Sequence, residues 1–158
     1  MKTFRRGFSL AEIMVSIAIM LLIVGISSYV FQNTNKKQSL EKAVTNVVSV
    51  INSVRSLAVS SKEFCSYGLN ISTTTNSITS FVVLPDSNCF AGSFSTTTLL
   101  LNNFGTIISS STVSGGQIIF QKVNGNTTNT GSFILQLKND SNSSTTITIY
   151  SIGILETK

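Results

Sequence analysis

The chain contains no histidine, no tryptophan and a single proline, and charged residues make up only 11% of its 158 positions. The missing histidine removes the side chain that most often acts as a general base near neutral pH and that commonly binds metal. The acids Glu12, Glu41, Glu63, Asp86, Asp140 and Glu156 are scattered. No glycine-rich phosphate loop follows a strand pattern, and no nucleophile motif is present. An enzyme is therefore the least supported function class, and the sequence assigns no catalytic residue, no cofactor and no metal ligand. The two cysteines, Cys65 and Cys89, lie too far apart for a Cys-x-x-Cys redox or zinc pattern. Ser, Thr and Asn fill the polar positions that charged residues usually hold, a surface of hydroxyls and amides that suits an extracellular domain. The formal charge of +5 points at first to an acidic partner such as nucleic acid. Three of the eleven basic residues, however, are Lys2, Arg5 and Arg6; without them eight bases face six acids, a net of +2. The charge balance thus gives a nucleic-acid partner little support.

What the chain does have is one long apolar run, Phe8 to Phe31, 24 residues with Glu12 as the single charge. As a helix at about 1.5 Å per residue it would reach roughly 36 Å, enough for a hydrocarbon core of about 30 Å. Lys2, Arg5 and Arg6 precede it, and Lys36 and Lys37 are the nearest charges after it. The short basic flank is expected to stay cytoplasmic and the remaining chain to be exported. An ordinary anchor or a cleaved secretory signal leaves Glu12 unexplained. A carboxylate inside a membrane helix costs about 2.5 to 3.5 kcal/mol on insertion scales and usually has a partner. One helical turn away, positions 8, 9, 15 and 16 are Phe, Ser, Val and Ser. The missing cation must come from outside the chain or be created by processing it.

Arg6-Gly7-Phe8-Ser9-Leu10-Ala11-Glu12, followed by an unbroken apolar helix, resembles the class III signal of type IV pilins and type II secretion pseudopilins. The resemblance implies that a prepilin peptidase cuts between Gly7 and Phe8 on the cytoplasmic side and N-methylates Phe8. It also implies that Glu12, the fifth residue of the mature chain, meets the amino terminus of a neighbouring subunit during filament assembly. An alkylated ammonium paired with a carboxylate in an apolar bundle satisfies both charges, and losing one partner should cost several kcal/mol. The expected location is a single pass through the inner (cytoplasmic) membrane before assembly, then an extracellular or periplasmic filament. The expected partners are other pilin or pseudopilin subunits, the prepilin peptidase, the inner-membrane assembly machinery and, before assembly, the membrane itself.

Beyond Phe31, apolar residues at 40, 44, 47, 51, 54 and 58 form one helical stripe. Phe8 to about Ser61 reads as one helix or two nearly collinear ones, apolar all round in the first half and amphipathic in the second. Gly25, Ser27 and Ser28 mark its weakest point. From Tyr67 the period becomes alternating. Ile78 to Leu84, Gln117 to Val123, Phe133 to Lys138 and Thr145 to Leu155 read as strands, with one or two shorter ones between Leu99 and Ile108. Asn124 to Gly131 and Asn139 to Ser144 are loop signals, and the last three strands look like a meander. The expected fold is α+β: a long N-terminal helix, half transmembrane and half amphipathic, packed on an antiparallel sheet. The pilin resemblance implies the same fold. The expected divisions are a leader at 1–7, a transmembrane and assembly helix at 8–31 and an exported globular domain at 32–158.

Cys65, just past the helix, and Cys89 are the only cysteine pair available. In an exported domain a disulfide between them is favoured over two thiols, and it would stabilise the fold by about 3 to 4 kcal/mol in the chain-entropy model. A weaker similarity joins Val47 to Glu63, with Arg55 and Ala58, and the closing segments Gln117 to Phe120, Phe133 to Leu137 and Ile147 to Ile154 to the pseudopilin H and FimT-like minor pilins. Some of that group are thought to bind DNA through a basic C-terminal region. Here the segment after Asn139 holds one Lys, Lys158, and two acids, Asp140 and Glu156, so that property is not carried over. The sequence favours a structural subunit, a minor pilin or pseudopilin of a type IV pilus or type II secretion filament. The alternative is a binding module at the pilus tip, an adhesin or DNA-uptake receptor.

Overall fold

A computed structural model of the chain describes residues 9–60, 65–83, 96–127 and 129–158, and of residues 27–33 only the backbone. The chain divides into two compact units, Met1–Lys36 and Lys37–Lys158.

Helix α1 runs unbroken from Leu10 to Val59. Gly25, the expected weak point, lies inside it, and the helix continues through that position. Every described side chain from Leu10 to Ile26 is exposed in the single chain. Among the described residues no helix is long and apolar enough to cross a membrane. The apolar stretch with described side chains, Leu10 to Ile26, is 17 residues, or about 26 Å at the helical rise. The run it belongs to begins at Phe8, outside the described residues, and continues to Phe31.

Within the second unit, α1 buries Leu40, Ala43, Val47, Ile51, Val54 and Ala58. Steps of three and four residues keep these on one face of a helix with 3.6 residues per turn. Ala43 takes the central place expected of Val44, which is only half-buried.

Strands β1 (Ser66–Ser72), β2 (Ser77–Val83), β3 (Thr98–Leu100) and β5 (Gln117–Phe120) form one sheet in the order β3-β2-β1-β5. A second sheet has the order β4-β6-β7-β8, from β4 (Thr106–Ser111), β6 (Gly131–Leu137), β7 (Asp140–Ile149) and β8 (Leu155–Thr157). All the pairings are antiparallel. Inward positions alternate as the pleat requires: Tyr67, Leu69 and Ile71 on β1, Phe133, Leu135 and Leu137 on β6, Ile147 and Ile149 on β7. They join the helix stripe in one core. Each fully buried large apolar side chain contributes roughly 1.5 to 3 kcal/mol, so a one-residue slip that turned Phe133, Leu135 and Leu137 outward is strongly disfavoured. Asn76, in the turn between β1 and β2, ties the two sheets: its Oδ1 accepts the Ile108 N–H at 2.9 Å.

Several expectations are corrected by these elements. One sheet was expected and two are present. β1 had no counterpart in the expected strands, although Tyr67, Leu69 and Ile71 alternate with Ser66, Gly68 and Asn70, because Gly and Asn are depleted in strands. The strand beginning at Gln117 stops at Phe120, since the Gly125 N–H donates to the Gln121 carbonyl and closes a tight turn. That strand pairs with β1, so the closing meander is β6-β7-β8. The segment Asn139 to Ser144 is not a loop beyond Asn139: β7 starts at Asp140, whose carboxylate accepts from the Asn142 N–H and the Ser143 hydroxyl. The run Thr145 to Leu155 is broken by a turn in which Gly153, at φ +73, donates its N–H to the Tyr150 carbonyl.

Candidate functional site

Of the residues singled out by the signal motif, Glu12 lies at the start of α1. The Ser9 carbonyl accepts the N–H groups of Glu12 at 3.0 Å and Ile13 at 3.3 Å, which places Glu12 in the first helical turn. A negative charge is favoured there by the unpaired N–H groups of the helix end. Ser9-Leu10-Ala11-Glu12 also has the order of a capping box, which would occupy the carboxylate locally. Among the described residues, however, the Glu12 carboxylate makes no hydrogen bond and no ion pair; the bond the Ser16 hydroxyl donates goes to the Glu12 main-chain carbonyl. Ile13, Met14 and Val15 beside it are exposed. Among the described residues Glu12 is thus an acid without a partner on an apolar helical surface. Gly7 and Phe8, the expected cleavage and methylation residues, lie outside the described residues. So does Cys89. Cys65 is fully buried at the entry to β1 and is not a free thiol.

A second constellation stands at the other end of the helix, around a residue that sequence reasoning named only through resemblance. Arg55 Nη2 donates to the Ile152 carbonyl at 3.3 Å, while Arg55 Nε is buried with no hydrogen-bond partner. Two glycines make room for this side chain. A Cβ on Gly153 would lie 2.8 Å from Arg55 Nε and 2.2 Å from the Gly125 carbonyl oxygen; one on Gly125 would lie 2.6 Å from Val59 Cγ2. The Val123 N–H donates to the Ala58 carbonyl at 3.1 Å and the Thr127 N–H to the Ser151 carbonyl at 2.8 Å. The end of α1, the β5–β6 loop and the β7–β8 turn therefore converge on Arg55. The signal in the sequence was the pair of turn glycines, Asn124-Gly125 and Ile152-Gly153, with a single arginine on the amphipathic helix. Next to this junction the Tyr150 hydroxyl donates to the Glu156 carboxylate. That hydrogen bond, and then the carboxylate's charge, raise the Tyr150 pKa above its ordinary 10.0. No group of His, Cys, Asp and Glu suited to a metal ion occurs among the described residues.

Residues 2–28 match the family model described as the prokaryotic N-terminal methylation motif. Two crystal structures of the type IV minor pilin FimU of Pseudomonas aeruginosa (strain PAO1) share the fold. One, in space group P65, has a TM-score of 0.51 at 13% identity, over 75% of this chain and 91% of that one. The other, in space group P21, has a TM-score of 0.52 at 14% identity, over 77% of this chain and 89% of that one. No curated protein matches along the sequence. The chain thus carries the methylation motif at residues 2–28 and shares its fold with a solved type IV minor pilin.

Proposed function

We propose that the chain is a minor subunit, pilin or pseudopilin, of a type IV pilus or type II secretion filament. Prepilin peptidase removes residues 1–7 by cutting between Gly7 and Phe8, and Phe8 becomes the N-methylated first residue. Before assembly the apolar run from Phe8 to Phe31 holds the subunit in the inner membrane, with Glu12 inside the bilayer. An unpaired carboxylate there lowers its cost by taking up a proton. Docking against the amino terminus of a neighbouring subunit then favours the charged pair. On the exported side, a disulfide between Cys65 and Cys89 fastens the start of the globular domain to the segment after β2.

The observation that carries this reading is the coincidence of the methylation motif over residues 2–28 with a Glu12 carboxylate that has no partner among the described residues. The likeness of the fold to a solved minor pilin supports the minor-subunit assignment. The test is purification of surface filaments, followed by N-terminal and intact-mass analysis. The expected result is a trace component that begins at methylated Phe8. Surface-exposed protein that still begins at Met1, or filaments made mostly of this chain, would overturn the respective parts of the reading.

A further inference from the structure

Asn124-Gly125 is the one place in the chain where a glycine follows an asparagine. A glycine nitrogen has no Cβ beside it, so it can approach the preceding carboxamide more closely than any other residue's nitrogen. Asn124 is exposed, whereas Gly125 is buried. The carboxamide is already held: Asn124 Oδ1 accepts the Asn126 N–H at 2.9 Å, an Asx-turn contact that keeps the side chain over the main chain just ahead of it. The same N–H polarises the Cγ carbonyl and favours negative charge arising on Oδ1. Asn124 Nδ2 makes a long bond of 3.5 Å to Gln121 Oε1, which a departing nitrogen gives up easily.

The nucleophile is restrained. The Gly125 N–H donates to the Gln121 carbonyl at 3.0 Å, so attack waits until this turn opens. Val123 favours opening. It sits in the same turn at φ +76, where a β-branched residue is a genuine outlier, and its N–H is tied to the Ala58 carbonyl at 3.1 Å. Strain held by the surrounding structure is released when the turn lets go, so opening here costs less than at an unstrained turn.

We infer that Asn124 is a site of spontaneous deamidation, with water as the only co-reactant, and that its isoaspartyl product loosens the β5–β6 loop from the end of α1. The Gly125 nitrogen attacks Asn124 Cγ and gives up its proton, the Cγ–Nδ2 bond breaks, and ammonia leaves carrying that proton, which closes a cyclic imide. Water then opens the imide. Cleavage between nitrogen and Cγ yields an ordinary aspartate; cleavage between nitrogen and the main-chain carbonyl carbon yields isoaspartate, whose main chain runs through Cβ and Cγ and is longer by a methylene. No electron is gained or lost.

The packing makes the two products unequal. A Cβ on Gly125 would lie 2.6 Å from Val59 Cγ2 and 3.3 Å from Arg55 Nε, and the Gly125 carbonyl oxygen would lie 2.2 Å from a Cβ on Gly153. An extra methylene just before Gly125 pushes it against these neighbours and puts the Gly125 and Val123 hydrogen bonds out of register. An aspartate keeps the chain length, and its carboxylate still accepts the Asn126 N–H. Asparagines that precede serine are worse placed: Asn52 lies inside α1, Asn142 lies in β7, and the Asn76 carboxamide holds the Ile108 N–H between the sheets.

This inference goes beyond the filament-subunit reading and does not rest on it. The purified full chain, in detergent, is held for days at mildly alkaline pH, then read by peptide mass and by enzymatic methylation of isoaspartyl carboxyls. Conversion is expected chiefly at Asn124, with isoaspartate among the products. The isoaspartyl fraction should unfold at a lower temperature than the starting protein, whereas an Asn124→Asp variant should unfold close to it. Val123→Gly, which accepts a positive φ freely, should slow conversion about tenfold, and Asn124→Ser should remove it. Conversion at Asn124 no faster than at Asn52, Asn76 or Asn142, an isoaspartyl fraction as stable as the Asn124→Asp variant, or indifference to Val123→Gly would each overturn the inference.

Discussion

Gly68 of β1 and Phe81 of β2 are a registered pair, and a Cβ on Gly68 would lie 2.5 Å from the Phe81 ring and 3.0 Å from the Ile118 carbonyl oxygen of β5. The ring fills the space over the glycine, an arrangement known to rescue a glycine within a sheet. Gly68→Ala therefore overpacks the centre of the first sheet and should cost about 1 to 3 kcal/mol. Denaturant unfolding of the full chain in detergent would measure it. In the Gly68→Ala, Phe81→Ala double variant the clash is gone, so the two effects should fall short of additive.

Glu12→Gln should give a chain that is inserted, folded and cleaved normally but enters filaments poorly, because the amide cannot complete an ion pair in an apolar bundle. Glu12→Leu should insert at least as well, since it lifts the insertion cost of about 2.5 to 3.5 kcal/mol, and should assemble no better. Membrane fractions and sheared filaments, blotted side by side, measure both steps. Incorporation of either variant at the wild-type level would remove the carboxylate from the assembly mechanism.

Replacing Cys65 and Cys89 together with Ser should lower stability by about 3 to 4 kcal/mol. Cys65 is fully buried in the core, so part of any loss comes from packing; a Cys89→Ser single variant, compared with reduced wild type, isolates the bond. Thiol titration of the non-reduced protein should find no free sulfhydryl.

The raised pKa of Tyr150 gives a signed expectation. Its hydroxyl donates to the Glu156 carboxylate, so the folded chain favours the neutral phenol and the folded pKa lies above the ordinary 10.0. The contribution is fully present below pH 10 and is lost as the pH rises through the folded value. Spectroscopic titration compared with a Tyr150→Phe variant should show Tyr150 ionising late. Glu156→Gln should bring it back toward the ordinary range, because the acceptor's charge is gone.

Much of the fold was legible because its cause is periodic. Leu40, Val47, Ile51, Val54 and Ala58 recur at helical spacing, and all are buried; Phe133, Leu135 and Leu137 alternate, and all face inward. What was not legible depended on side chains that carry no period. β1 does alternate from Tyr67 to Ile71, but its Gly68 and Asn70 are residue types depleted in strands, and Gly68 makes sense only once Phe81 lies across from it. The polar run after Asn139 reads as loop by composition, yet Asp140 and its two acceptor bonds let the backbone continue as strand. The signal around Glu12 was legible as a short motif of unusual residues. The Arg55 junction was not, since Gly125 and Gly153 are 28 positions apart and acquire a common purpose only where the chain brings them together.

Within the unit from Lys37 onward, the burial of one face of α1 has a mechanical meaning. A tension applied along the helix backbone there is borne by the buried stripe from Leu40 to Ala58. Six side chains lying along the direction of pull are loaded in shear, all at once, whereas a strand peeled from a sheet edge gives way one pair at a time. Withdrawal of the helix would have to empty the centre of the core in a single step, so this unit resists stretching at the same place, and by the same contacts, that hold it folded.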